Sequence, residues 1–134
     1  MEPKYLIDTC AVIKYLNNLF STEAISFMDK LVDDDSKVSF ITKIELLVWK
    51  TSNPDDIKIR YDFLNGSEIL YINEKIIDIA IKIRRDTNIK IPDAIIAATA
   101  ISYDYILLSD NDQDFMKIES FGLKYLNPKT AFSN

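Results

Sequence analysis

There is no histidine in these 134 residues. That removes Ser-His-Asp catalysis, imidazole general bases and histidine-ligated zinc together. The single cysteine, Cys10, leaves no intramolecular disulfide and no thiolate cage for a metal. Two glycines, Gly66 and Gly122, are too few for a phosphate-cradling loop, and neither a GxGxxG nor a Walker pattern occurs. No apolar run approaches the ~20 residues that span a bilayer, and the N-terminus carries no signal-peptide pattern, so a cytoplasmic chain with no membrane attachment is expected. Any metal chemistry must therefore rest on carboxylates, which favour hard cations such as Mg²⁺ or Mn²⁺.

What is present is a core. Hydrophobic residues make up 48% of the chain, enough for one domain over residues 1–134 that buries about two-thirds of its unfolded surface. Sixteen basic against 21 acidic residues give a net charge of −5, which by itself argues against a nucleic-acid partner, since phosphate contacts dominate such affinities. It does not exclude one if the acids hold metal and the bases lie nearby.

Along the chain, residues 4–7 form an apolar strand that ends at Asp8, followed by a helix to about residue 19. Ser21 caps a helix whose apolar spacing gives one buried face, and the acidic run at 33–36 reads as a solvated turn. Residues 37–41 alternate like a strand and run into Thr42-Lys43-Ile44-Glu45, a capping-box pattern that opens a helix. Asn53-Pro54 starts another helix, ending near Gly66. Residues 68–72 are a strand, and Asn73 caps an amphipathic helix that closes at Asn88 as a left-handed cap. Pro92-Asp93 then opens a helix rich in alanine, reading as a buried element to residue 103. The most apolar strand, 105–108, breaks into an acidic segment at 109–115; a short helix at 115–118 and a strand at 123–126 complete the chain. Strands alternating with helices, some strands nearly all apolar, indicate a single-domain three-layer α/β sandwich with a mostly parallel sheet covered on both faces.

Parallel α/β sheets place ligand sites outside the carboxyl ends of their strands. Four acidic features fall there. Asp8 ends the first strand, Glu45 follows the second, Asp93 opens the alanine-rich helix, and Asp110, Asp112 and Asp114 follow the fourth. Each has an ordinary alternative as a helix cap or an Asp-rich turn. Four at one edge repel one another unless a cation offsets the charge. With no His, Cys or Lys placed as a base, metal-activated water is the simplest nucleophile, and its target is a phosphodiester or another phosphoryl group.

Leu6-Ile7-Asp8-Thr9, Thr42-x-x-Glu45-Leu46, Pro92-Asp93-Ala94-x-Ile96-Ala97-Ala98-Thr99-Ala100 and the block from Leu107 to Phe115 resemble the four signature blocks of PIN-domain ribonucleases. The resemblance is greatest to the VapC-like toxins of toxin–antitoxin pairs, and it spans nearly the whole chain in family order. It implies a PIN-like fold with a five-stranded parallel sheet, Mg²⁺- or Mn²⁺-dependent endoribonuclease activity, a homodimer and a cognate antitoxin. It also implies catalytic roles for Asp8, Glu45, Asp93 and Asp114, with Asp8 and Asp93 as metal ligands and Glu45, Asp110, Asp112 and Asp114 as further candidates.

Four positions depart from the family pattern. Cys10 stands where many members have Asn, so a usual polar neighbour of the site is missing; Ser109 and Asn111 alter the fourth block; and Asn88 replaces a usual Gly. Arg84, Arg85 and Lys90 lie just upstream of Asp93, with Lys43 beside Glu45, as candidates for contact with RNA phosphates or as an ordinary solvated face. Tyr15, Trp49 and Tyr103 suit core packing better than base stacking. Exposed apolar residues such as Phe20, Phe27 and Trp49 suit an antitoxin helix or a dimer contact. Two alternatives to the nuclease are a PIN-like RNA- or protein-binding module without catalysis and a Mg²⁺-dependent phosphohydrolase or signalling domain. The latter would carry a second acid just after Asp8, where Cys10 stands.

Overall fold

The computed structural model describes residues 2–132. Its five strands are short: β1 (Tyr5–Ile7), β2 (Lys37–Ser39), β3 (Glu68–Leu70), β4 (Ile106–Leu108) and β5 (Lys124–Leu126). Eight α-helices connect or follow them: α1 (Thr9–Leu16), α2 (Thr22–Asp35), α3 (Phe40–Val48), α4 (Pro54–Asn65), α5 (Glu74–Asp86), α6 (Ile91–Tyr103), α7 (Asp112–Phe115) and α8 (Pro128–Ala131), with a 3₁₀ helix at Met116–Phe121. Every strand pair is parallel.

The side-chain alternation of the strands divides the interior into two cores. Leu6 and Leu107 face one side, against Ile83, Ile96, Ala97 and Phe115 of α5, α6 and α7. Ile7 and Leu108, the next residues along, face the other, against Val12, Met28, Leu46 and Phe63 of α1 to α4. Successive side chains of a strand point to opposite faces, so a strand buried on both sides is apolar throughout. That is the three-layer sandwich expected.

The sheet corrects one expectation. It is a three-stranded ladder in the order β1-β4-β5 and a separate two-stranded ladder, β2-β3. β2 lies against β1, but backbone pairing stops between them. Three strand residues each give the ladders little length over which to meet.

Other differences are local. Asp33, Asp34 and Asp35 are the last turn of α2 rather than a free turn; Lys37 holds Asp35 at 2.5 Å and Glu68 at 3.0 Å. α3 begins at Phe40 with Ser39 as its cap, two residues before the expected capping box. α5 ends at Thr87 in extended backbone, and Asn88 is not left-handed; among the described residues the left-handed positions are Asn18, Asp104 and Gly122. Phe20 and Phe27 are partly buried against the second core, whereas Trp49 is 59% exposed and Tyr103 is 40% exposed. Among the described residues no helix is long and apolar enough to cross a membrane.

Candidate active site

The carboxyl edge of β1 and β4 delivers the first acid. Asp8 follows Ile7 directly, and its backbone N–H continues the ladder by donating to the Leu108 carbonyl at 2.9 Å. It stands at the N-cap of α1 in extended backbone, yet its side chain makes no capping hydrogen bond. The carboxylate is instead 4% exposed and accepts from Cys10 Sγ at 2.9 Å and Ser109 Oγ at 2.8 Å. Burial raises its pKa, against those two hydrogen bonds, and the charge of Glu45 adds to the rise.

Cys10 therefore fills the role of a polar neighbour after all. Its thiol also lies 3.2 Å from Ser109 Oγ, and burial followed by the charge of Asp8 pushes it up to about 12. At neutral pH it is a protonated donor and not a nucleophile.

Glu45 comes from α3. The early start of that helix breaks the expected capping box: Thr42 is fully buried inside it. Thr9 Oγ1 donates to Glu45 Oε1 at 2.7 Å and lies 2.8 Å from Thr42 Oγ1. A threonine at the strand-to-helix turn thus links Glu45 to the element that carries Asp8.

Asp93 is in the first turn of α6, where Pro92 supplies a fixed φ and Lys90 is the cap residue without a side-chain cap bond. Among the described residues its carboxylate accepts no hydrogen bond. It is pushed up to about 6, first by burial and then by the charges of Asp8, Asp114 and Glu45, with Lys90 opposing. Three acids from three other parts of the chain act on this one group.

The last block separates into three roles. Asp114 exchanges hydrogen bonds with Asn111, accepting from Nδ2 at 3.0 Å and donating its N–H to Oδ1 at 3.3 Å. Asp110 forms an ion pair with Lys14 of α1. Asp112 is turned to β5, where Tyr125 Oη and Asn127 Nδ2 donate to Oδ1; these two bonds lower its pKa.

Asp8, Glu45, Asp93 and Asp110 line one open pocket with Thr9, Cys10, Ile13 and Asn111. Asp114 stands at one remove, its charge reaching Asp93. Asp112 is engaged elsewhere. Arg84 and Arg85 line a different groove, between α5 and α6, with Ile81, Ile91 and Ile95, and Arg84 donates to the Ile89 carbonyl at 3.1 Å. Lys43 is exposed on α3. Of the four basic residues singled out in the sequence, Lys90 is the one whose charge acts on a pocket acid. Thr9 and Lys14 were not among the candidate site residues, and Ser109 entered only as an altered position of the fourth block. Thr9 was detectable as the residue following Asp8 in a strand-to-helix turn; the other two come together only through the β1–β4 pairing.

Among the described residues no three acids or thiols are already gathered closely enough to cage a metal ion. The donor set nevertheless suits a hard cation. Mg²⁺ is ordinarily held by one or two carboxylates and keeps several waters or substrate oxygens rather than taking an all-protein cage, and the mutual repulsion felt at Asp93 is what a cation relieves.

A parallel α/β fold that collects carboxylates beyond the carboxyl ends of its strands, with no imidazole and no thiolate among them, defines a class of protein with an acidic pocket at the edge of its sheet. Comparison with known proteins narrows the class. The PIN domain matches residues 5–120, and the chain belongs to the PIN-domain family. Ribonuclease VapC of Rickettsia bellii is 33% identical over 105 residues, covering 78% of this chain and 69% of that protein. Two solved structures share the fold. DNA-bound VapBC from Salmonella typhimurium has a TM-score of 0.80 at 21% identity, covering 95% of this chain and 99% of that one. VapBC2 from Rickettsia felis, bound to a fragment of its promoter, has a TM-score of 0.77 at 20% identity, covering 92% and 97%.

Proposed function

We propose that this chain is an endoribonuclease that hydrolyses RNA phosphodiester bonds with Mg²⁺ or Mn²⁺, and that it is the toxin of a toxin–antitoxin pair. The observation that carries the reading is the meeting of Asp8, Glu45 and Asp93 in one pocket, with the charge of Asp114 reaching Asp93, in a chain without imidazole. Family membership and the VapC relative support it.

Asp8 and Asp93 are the residues that would hold the cation, with Glu45 and Asp114 completing the negative shell. When bound, the cation supplies charge neutralisation at phosphate and an acidified water. The chain's own groups do the positioning. Ser109 and Cys10 fix the Asp8 carboxylate by donating to Oδ2. Thr9 fixes Glu45. Glu45, half-buried at the pocket wall, would take a proton from an attacking water. Asn111 holds the Asp114 carboxylate by donating from Nδ2.

The partners follow from the same reading. RNA is the substrate, and a cognate antitoxin and a second copy of the chain are the protein partners. Ile44, Val48 and Trp49 form an exposed apolar stretch on and just after α3, which suits an apolar helix laid against it. A cytoplasmic location accords with all three partners.

The test is incubation of a structured RNA panel with Mg²⁺, with Mn²⁺ and with EDTA. Cleavage with metal and none with EDTA is expected, and Asp8→Asn or Asp93→Asn should lower the rate by about 100-fold or more. Folded variants that cleave as fast as the wild type would sink the proposal.

A further inference from the structure

An acidic pocket must still admit a phosphodiester. The bases picked from the sequence do not solve this, since Arg84 and Arg85 line another groove. A different cation is paired with an acid of the pocket wall. Lys14 lies one helical turn beyond Cys10 on α1, on the same face, and its ammonium pairs with Asp110, a pocket-lining acid 96 positions away. The two partners are unequally placed: the side chain of Asp110 is 10% exposed and that of Lys14 is 37% exposed.

An ammonium has three donors. Asp110 takes one, and among the described residues Lys14 has no other hydrogen-bond partner. Two N–H groups are thus left on a half-exposed cation beside the acids. An ammonium is a compact point charge on a flexible stem and suits a phosphate oxygen well. A pair made only for stability would not need this location, because partly exposed ion pairs contribute little. Lys90 opposes the charge on Asp93, so the acids have one cation on α1 and another at the start of α6.

We propose that Lys14 grips a phosphate of the RNA at the mouth of the acidic pocket, and that Asp110 is the holder of Lys14 rather than a ligand of the cation. This rests on the ribonuclease reading for the identity of the substrate.

The experiment compares wild type, Lys14→Gln, Lys14→Arg and Asp110→Asn. Binding of a single-stranded RNA oligonucleotide is measured by fluorescence anisotropy in Ca²⁺ across a salt series, and cleavage in Mn²⁺ gives kcat and KM. Lys14→Gln should weaken binding and raise KM by about tenfold, the scale of one charge-assisted contact. Its slope of log affinity against log salt should shrink by about 0.7, the value for one phosphate contact on a single strand. Lys14→Arg should keep the slope. Asp110→Asn should keep the rise in melting temperature that Mn²⁺ gives the wild type. An unchanged slope in Lys14→Gln overturns the assignment of Lys14, and loss of the Mn²⁺ shift in Asp110→Asn overturns that of Asp110. RNA that is bound but never cleaved refutes the ribonuclease reading alone, because the salt slope still judges Lys14. RNA that is not bound at all refutes both.

Discussion

Removing the charge of Asp93 should stabilise the metal-free protein at neutral pH, although the same change disables the site. The carboxyl is shifted from 3.8 to about 6 by burial and by the neighbouring acids. At about 1.36 kcal/mol per pH unit, a shift of that size has a ceiling of about 3 kcal/mol. Asp93 is half-exposed, and solvent screening reduces the ceiling to about 1–2 kcal/mol. An ionised acid in the first turn of α6 also gains roughly 0.3–1 kcal/mol from the helix N-terminus, which Asn forgoes in part. The net gain for Asp93→Asn is about 0.5–1.5 kcal/mol, or a few degrees in melting temperature for a domain of this size.

The pH dependence has a fixed sign. A carboxyl whose folded pKa lies above its unfolded value binds protons more tightly when folded, so it costs stability as the pH rises. The cost is absent below 3.8 and complete above about 6. In EDTA, the variant should melt near the wild type at pH 4 and above it at pH 7. With Mn²⁺ at pH 7 the order should reverse, because the wild type gains from binding and the variant gains less. Circular dichroism melts at the two pH values, with EDTA and with Mn²⁺, decide the matter. A variant that is less stable than wild type in EDTA by the same margin at both pH values would refute the reasoning and make Asp93 a structural acid of the helix.

Thr9→Val removes the hydroxyl that holds Glu45 and meets Thr42; cleavage should fall about tenfold while stability falls by only about 1 kcal/mol, read by kinetics and melting on one preparation. Phe115→Ala empties a fully buried site between α7 and the first core and should cost about 3–5 kcal/mol in denaturant titration. Asn73→Ala deletes the side chain that accepts from the Ile76 N–H at 2.9 Å and should cost about 1 kcal/mol in the same titration.

The caps that the sequence disclosed are those made within a few residues. Ser21, Asn53 and Asn73 each accept from an amide two or three positions on, so the signal and the structure occupy the same stretch. Where a distant neighbour decides, local reading failed. Thr42 and Glu45 have capping-box spacing, yet Ser39 caps the helix and Thr9 claims both side chains. Asn88 has a composition suited to a left-handed cap, but Thr87 ends α5 in extended backbone, its hydroxyl donating to the Ile83 carbonyl at 2.7 Å. Trp49, read both as a core residue and as an exposed apolar contact, lies outside over the Arg60 guanidinium at 4.3 Å, because Arg60 reaches back from α4 to the carbonyls of Leu46 and Trp49 at the end of α3. The convergence of acids was legible through a rule of topology rather than through any contact. The separate errands of Asp110, Asp112 and Asp114 were not, since three acids on alternate positions look alike until Lys14, Tyr125 and Asn111 claim one each.

The break between the two ladders gives the pocket a seam. Asp8 and the acids after β4 belong to the three-stranded ladder, while Glu45 follows β2 of the other. No strand pairing joins those banks among the described residues; side-chain packing and the hydroxyl of Thr9, bonded to Thr42 and Glu45, span the gap beside the pocket. Sliding one bank past the other costs apolar contact and a hydroxyl bond or two, not a row of peptide hydrogen bonds. Glu45 is therefore tied to the remaining acids by side chains and not by strand pairing.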